Sequence, residues 1–217
     1  MRAVLIDVSG KFEAVLFHLD VKDEELDACA GTLDEAEQAR AARFRHHRDR
    51  ARFIARRAAA RRHLAAKLET IPTVLRIAAD ELGKPYLPDA PALHFNLSHA
   101  NGLALLVTAR EPVGCDLAWR NPALACGRVA ARLFAAEEVA ALDALPPARW
   151  VEGFYHCWTR KEAYVKALGV GLSLPLDTFA VSVAPDQPAE LLRGEAGWAL
   201  ASFEPALGFQ AAVVTAS

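Results

Sequence analysis

Trp158, Glu162 and Lys166 stand four residues apart within Trp150–Leu168, a run whose apolar periodicity predicts a helix, so the three share one face. Beside them, Phe154 and Val165 belong in a core. A carboxylate and an amine at the edge of such a face suit a metal ion next to a phosphate. The plain alternative, a surface pair between Glu162 and Lys166, would contribute only about 0.3–0.5 kcal/mol. Asp116 is a lone acid inside the apolar run Val113–Leu117. Burying it is costly unless it is paired or binds a cation, although it could also cap the next segment. A hard cation such as Mg²⁺ takes one or two carboxylates and lets phosphates and water fill its other positions.

Two further segments place polar groups where a plain core element would not. Phe95-Asn96-Leu97-Ser98-His99 ends beside a glycine-containing turn, so Ser98 and His99 can donate to a phosphate or cap the turn. Lys84 is held between Gly83 and Pro85, two residues that restrict a turn; alone, the tripeptide reads equally as a solvated loop lysine. A Ser-His-Asp hydrolase built from Ser98, His99 and Asp116 fails. The sequence has no G-x-S-x-G elbow, and adjacent side chains on a strand point to opposite faces.

These groups need elements to hold them. Val15–Asp20 reads as a short strand and Val21–Ala30 as an acidic helix. Thr32 with Glu35 resembles a capping box that opens one long helix, or two in series, to about Leu68, with Ile71-Pro72 ending it. Leu93–His99 and Leu103–Ala109 are strands around the hairpin signal Ala100-Asn101-Gly102, with Val113–Leu117 a third strand beside them. Val129–Leu142 and Trp150–Leu168 are helical, broken at Pro146-Pro147 and at Gly169. Phe179–Val183, Trp198–Phe203 and Phe209–Thr215 alternate like antiparallel strands. Without a βαβ rhythm the expected class is α+β.

The 217 residues fit one large domain or two small packed ones, and 53% hydrophobic content supplies a core. With 25 basic and 27 acidic residues, the net charge of −2 suggests no global nucleic-acid or membrane partner. The first residues, Met1 to Asp7, form too short an apolar run for a leader, and Asp7 interrupts it. Cys29, Cys115, Cys126 and Cys157 lie far apart with no CxxC spacing, so neither structural zinc nor a disulfide framework is expected. A reduced, cytoplasmic protein is the expectation.

Gly83-Lys-Pro-Tyr, Phe95-Asn-Leu-Ser-His, Val113-Gly-Cys-Asp and Phe154-x3-Trp-x2-Lys-Glu-Ala-x2-Lys-x2-Gly, followed by Gly171-Leu-Ser-Leu-Pro-Leu-Asp, occur in that order over about 100 residues. Together they resemble the signature of the phosphopantetheinyl transferase superfamily. Glu37-x2-Arg40-x2-Arg43-Phe44 resembles that family's N-terminal helix. The length favours the surfactin-synthetase-activating type, with two similar α+β halves in one chain, over the half-length holo-acyl-carrier-protein synthase type, which works as a trimer.

The resemblance implies a pseudo-twofold pair of halves, residues 1–108 and 109–217, each an antiparallel sheet with a long packed helix, and an active site in the cleft between them. It implies transfer of the 4′-phosphopantetheine arm of coenzyme A to a serine of an acyl or peptidyl carrier protein, with adenosine 3′,5′-bisphosphate leaving. Asp116 and Glu162 would hold Mg²⁺ against the CoA pyrophosphate, and Lys166 would neutralise that pyrophosphate. Ser98 and His99 would bind CoA phosphates, Lys84 the nucleotide end, and Arg40 and Arg43, with Arg52, the 3′-phosphate. The proton of the attacking serine would go to Glu162 or to water at the cation. Many members carry a second acid two residues after the aspartate, where this chain has Ala118; that implies altered metal affinity. Glu138 matches another recurring acid. A monomer is expected.

Ten arginines lie between Arg40 and His63. They read as a solvated helix, as anion ligands for CoA and an acidic carrier, or as a nucleic-acid patch; no recognition motif supports the last. A non-catalytic binding module for CoA or a carrier is the second alternative, favoured only by Ala118.

Overall fold

Asn101 and Gly102 both have positive φ (48° and 101°), the geometry a two-residue hairpin turn demands. They join β5 (His94–Ala100) to β6 (Leu103–Ala109), whose other edge pairs with β2 (Phe12–His18), itself paired with β1 (Ala3–Ile6). This antiparallel sheet has the order β1-β2-β6-β5. The computed structural model describes residues 2–6 and 10–217, and the side chain of Leu172 is not described. Met1 and Asp7, read above as the ends of the N-terminal apolar run, lie outside the described residues.

α3 (His47–Lys67) packs on this sheet, and α1 (Asp23–Ala30) and α2 (Glu35–Ala42) pack on α3. The capping box forms two residues later than expected, between Asp34 and Glu37, because Thr32 is used at the end of α1, where its hydroxyl donates to the Cys29 carbonyl (2.8 Å). Arg57 and Arg61 on α3 then pair with Glu37, and Arg61 also with Asp34. A minor hairpin, β3 (Ala78–Ala79) with β4 (Pro85–Tyr86), carries Lys84 in its loop.

The second half repeats the plan. β7 (Val113–Trp119) joins not the hairpin sheet but a second antiparallel one, paired with β11 (Phe209–Ala216), which pairs with β10 (Trp198–Phe203). Between them lie α4 (Gly127–Leu133), α5 (Ala136–Asp143) and α6 (Pro147–Leu168), and the short pair β8 (Ala180–Val181) and β9 (Leu191–Arg193). The expected single helix from Val129 to Leu142 is two: Phe134 turns extended and packs its ring on Phe154 (5.2 Å). The break expected at Pro146-Pro147 separates α5 from α6, and Pro147 opens α6, since a first-turn residue needs no N–H. Gly169 closes it in the left-handed conformation.

Alternation along the strands sorts three cores into a layered stack. Ala104 and Leu106 of β6 pack with Ala55, Ala59 and Leu64 of α3, whereas Leu103, Leu105 and Val107 pack with Val113, Cys115, Leu117, Ala211 and Val213 of the second sheet. On that sheet's far side Ala212 and Val214 meet Phe154 and Ala163 of α6. The order is therefore helix, sheet, sheet, helix, an α+β arrangement of two halves. No helix among the described residues is long and apolar enough to cross a membrane.

Candidate active site

Strand periodicity decides which way β7 aims its acid. Val113, Cys115 and Leu117 point into the core between the sheets, so Gly114, Asp116 and Ala118 face α6. Gly114 lets the helix settle directly on the strand: a Cβ there would be driven into the backbone of Ala163 and Ala167, and to 2.7 Å from the Lys166 carbonyl carbon. That close approach brings Glu162 and Lys166 to Asp116.

The first half supplies the other wall. Asn96 and Ser98, two apart on β5, accept hydrogen bonds from the N–H groups of Cys115 (3.0 Å) and Leu117 (3.1 Å), two apart on β7. A ladder of side chains thus links the free edge of β7 to the first sheet. The Ser98 hydroxyl donates to Asp116 Oδ1 (2.9 Å), and Lys166 Nζ donates to the same oxygen (2.5 Å) and reaches Ser98 Oγ (3.4 Å). Serine has one proton to give. It goes to the carboxylate, so Ser98 orients Asp116 in this arrangement.

Asp116 is buried, Glu162 half-buried. Burial and the Asp116 charge raise the Glu162 carboxyl above its ordinary range, with Lys166 opposing. Burial works against the Lys166 ammonium, but the Asp116 charge and hydrogen bond outweigh it and raise its pKa. Lys166 therefore pairs with Asp116 on another element, not with Glu162 as in a surface ion pair.

His99 points the opposite way from Ser98 and is open to solvent. Crowding by its surroundings, then the Arg56 and Lys166 cations, lower it to about 4 against the pull of Asp116. It stands as a neutral imidazole. Lys84 reaches across the halves and donates to the Ala167 carbonyl (2.6 Å), capping the end of α6. It lines, with Asn96, Lys166 and Gly169, a cavity of about 240 Å³. A larger concavity of about 770 Å³, at Lys67, Arg110 and Glu111, lies off this convergence and contains none of the expected site residues.

The arginines divide. Arg52 forms a two-pronged pair with Asp20 (2.7 and 2.9 Å). Arg43 follows α2 in the open. Arg40 lies over the Phe53 ring (5.4 Å) with Arg56 at 5.5 Å from the same centroid.

Residues 112–214 match the 4′-phosphopantetheinyl transferase superfamily, and residues 20–111 match the family described as 4′-phosphopantetheinyl transferase, N-terminal. The chain is 36% identical over 202 residues to the 4′-phosphopantetheinyl transferase HetI of Nostoc sp. PCC 7120, covering 91% of this chain and 84% of that protein. The chain belongs to the 4′-phosphopantetheinyl transferase superfamily. It is also 32% identical over 168 residues to a 4′-phosphopantetheinyl transferase of Bacillus subtilis (77% and 73% covered), and 28% identical over 176 residues to Sfp of B. subtilis strain 168 (81% and 78% covered). It is a 4′-phosphopantetheinyl transferase of the surfactin-synthetase-activating type.

The transferase signature contains residues whose roles sequence reading left unassigned. Glu138 and Lys161 are both fully buried and paired at 2.8 Å. Glu138 also accepts from the Ala135 and Val181 N–H groups, and Lys161 donates to the Leu176 and Phe179 carbonyls, so the pair fixes the turn of α6 next to Glu162. Gly114 and Asn96 were quoted within motifs without a task. Arg56 was one arginine of ten.

For a divalent cation the donors fit. Glu162 is a half-buried carboxylate that no described residue hydrogen bonds, raised by a like charge nearby, and a hard cation relieves that conflict. No group of three or more His, Cys, Asp or Glu among the described residues is placed to hold a metal. Asp116 and Glu162 lie near one another here, and Ala118 on the same face adds no third carboxylate.

Proposed function

We propose that this transferase moves the 4′-phosphopantetheine group of coenzyme A to a serine of an apo acyl or peptidyl carrier protein, with Mg²⁺ held by Asp116 and Glu162. The observation that supports it best is the meeting of Asp116, Lys166 and the unpaired Glu162 where the two halves join. A phosphate-binding set of this kind matches a pyrophosphate donor.

In the reaction the carrier serine oxygen forms a bond to the β-phosphorus of CoA as the bond from that phosphorus to the pyrophosphate bridging oxygen breaks. Adenosine 3′,5′-bisphosphate leaves with that electron pair. When bound, Mg²⁺ neutralises charge that builds on the pyrophosphate oxygens. Lys166, already raised and half-buried, holds its proton throughout and sits beside the leaving phosphate. The serine proton would go to Glu162 or to water held at the cation. Ser98 keeps Asp116 in place, and neutral His99 can donate one hydrogen bond to a CoA phosphate without adding charge. Lys84 contributes by closing α6 from the first half, next to the nucleotide end.

We place the division of the chain at residues 1–108 and 109–217, with the cleft between them. One chain carries both walls, which supports a monomer. Four free cysteines support a reduced, cytoplasmic setting.

Adenosine 3′,5′-bisphosphate release is the direct test. Chromatography should find it only when CoA, apo carrier and Mg²⁺ are all present. Release without carrier, or in EDTA, contradicts the reading.

A further inference from the structure

β5 and β7 are each the last strand of their own sheet, β5 pairing its backbone with β6 and β7 with β11. Backbone groups alternate in direction along a strand, so Asp116 turns its own N–H and C=O toward β11, opposite Ala212. Cys115 and Leu117, on either side of it, turn theirs toward β5. Both residues are buried, so these two N–H groups cannot turn to water and need partners. Ser98 Oγ meets the second (3.1 Å) and also holds the Asp116 carboxylate directly. Asn96 Oδ1 meets the first (3.0 Å). Asn96 is itself buried, and its hold on β7 is through the backbone alone. Only the oxygen of an amide can accept from an N–H, which fixes how this side chain is turned.

The first half contributes neither of the two carboxylates, yet it grips the chain on both sides of one of them. Mg²⁺ demands near-ideal octahedral geometry with ligands at about 2.0–2.1 Å, so a small shift of a carboxylate costs affinity. Partners that orient a ligand from outside the coordination sphere therefore matter to the metal. Without Asn96, the β7 edge at Cys115 has a buried donor with nothing to meet, and the strand must move to find a partner. Asp116 would move with it. We propose that Asn96 is a positioning residue for the cation site, acting through the Cys115 N–H to keep Asp116 where it and Glu162 can share one ion. The inference rests on the assignment of Asp116 and Glu162 to the cation under the proposed function.

The test uses Mn²⁺ as the probe, its binding read by electron paramagnetic resonance with CoA present and carrier absent, so that nothing turns over. Asn96→Leu fills the same space without an acceptor, and Asn96→Asp keeps an acceptor in the same place. Mn²⁺ affinity should fall about tenfold or more in Asn96→Leu, while Asn96→Asp stays close to wild type. With carrier added at limiting metal, kcat should fall in Asn96→Leu and the KM for CoA should hold. If Asn96→Leu does not fold, Asn96→Ala carries the same comparison. Folded variants that bind Mn²⁺ as tightly as wild type overturn the proposal. So does a rise in the KM for CoA with metal affinity intact, which would make Asn96 a substrate contact. Wild type that binds Mn²⁺ no better than Asp116→Asn contradicts the metal assignment, and this inference falls with it. Wild type that binds it better, beside an unaffected Asn96→Leu, removes Asn96 alone.

Discussion

Gly114 lies under the backbone of Ala167, so near that a single methyl group on the glycine would collide with the helix. Asp116 and Lys166 are 50 residues apart in sequence, and this contact sets the distance from Asp116 to Lys166 and Glu162. Gly114→Ala must push α6 away from the strand. Because the obstacle is backbone, which cannot swing aside, the loss should reach about 3 kcal/mol or more, at the upper end for overpacking. Urea unfolding would show it, with transfer falling further than the unfolded fraction explains. Wild-type stability and activity would contradict the packing described.

Glu162 is held in charged form at a cost, from burial and from Asp116. Glu162→Gln removes that cost. The variant should be as stable as wild type, or more so by up to about 1 kcal/mol, while transfer falls about a hundredfold or more. Thermal melts and initial rates check both halves of the statement. A less stable, fully active variant would reverse it.

The Glu138–Lys161 pair is inaccessible to solvent at both ends. Removing one partner leaves a buried charge, so Glu138→Ala should cost about 3–5 kcal/mol. Glu138→Leu with Lys161→Met should cost clearly less than the sum of the single changes. Additive losses in a double-mutant cycle would show that the two residues act apart.

His156 provides a pH signature. Burial, then Arg160 and more distant Arg120 and Arg149, lower it from 6.5 to about 4. The unfolded chain takes up that proton first as pH falls, so this group's stabilisation is complete above about pH 6.5 and is lost progressively down to about 4. The loss over that window is on the order of 3 kcal/mol. In His156→Gln the decline should be shallower, with Gln still able to accept from Arg160. Parallel stability curves from pH 7 to 4.5 would refute the assignment.

Local chemistry was readable where one segment settles it. The Asn101-Gly102 turn, the apolar run of β6, the alternation of β11, and the common face of Glu162 and Lys166 all follow from spacing. Choices that depend on distant partners were not. Thr32 and Asp34 each have a glutamate three residues on, and Asp34 wins because Glu37 is gripped by Arg57 and Arg61. Arg56 cannot be told from nine other arginines until Asp20, Asp34 and Glu37 have claimed theirs. Ser98 was legible as a polar residue at a strand end, but its hydrogen bond to Asp116 comes from another strand, which no local spacing reveals. β7 was expected beside the hairpin, and it lies there through side chains while its backbone pairs with β11.

Intact-mass spectrometry of an apo carrier protein incubated with the enzyme, CoA and Mg²⁺ tests the central claim most directly. The account predicts a gain of one phosphopantetheinyl group that is absent with EDTA and with Asp116→Asn. Carriers of fatty-acid, polyketide and peptide synthesis that all stay apo, with CoA still bound by the enzyme, would contradict it.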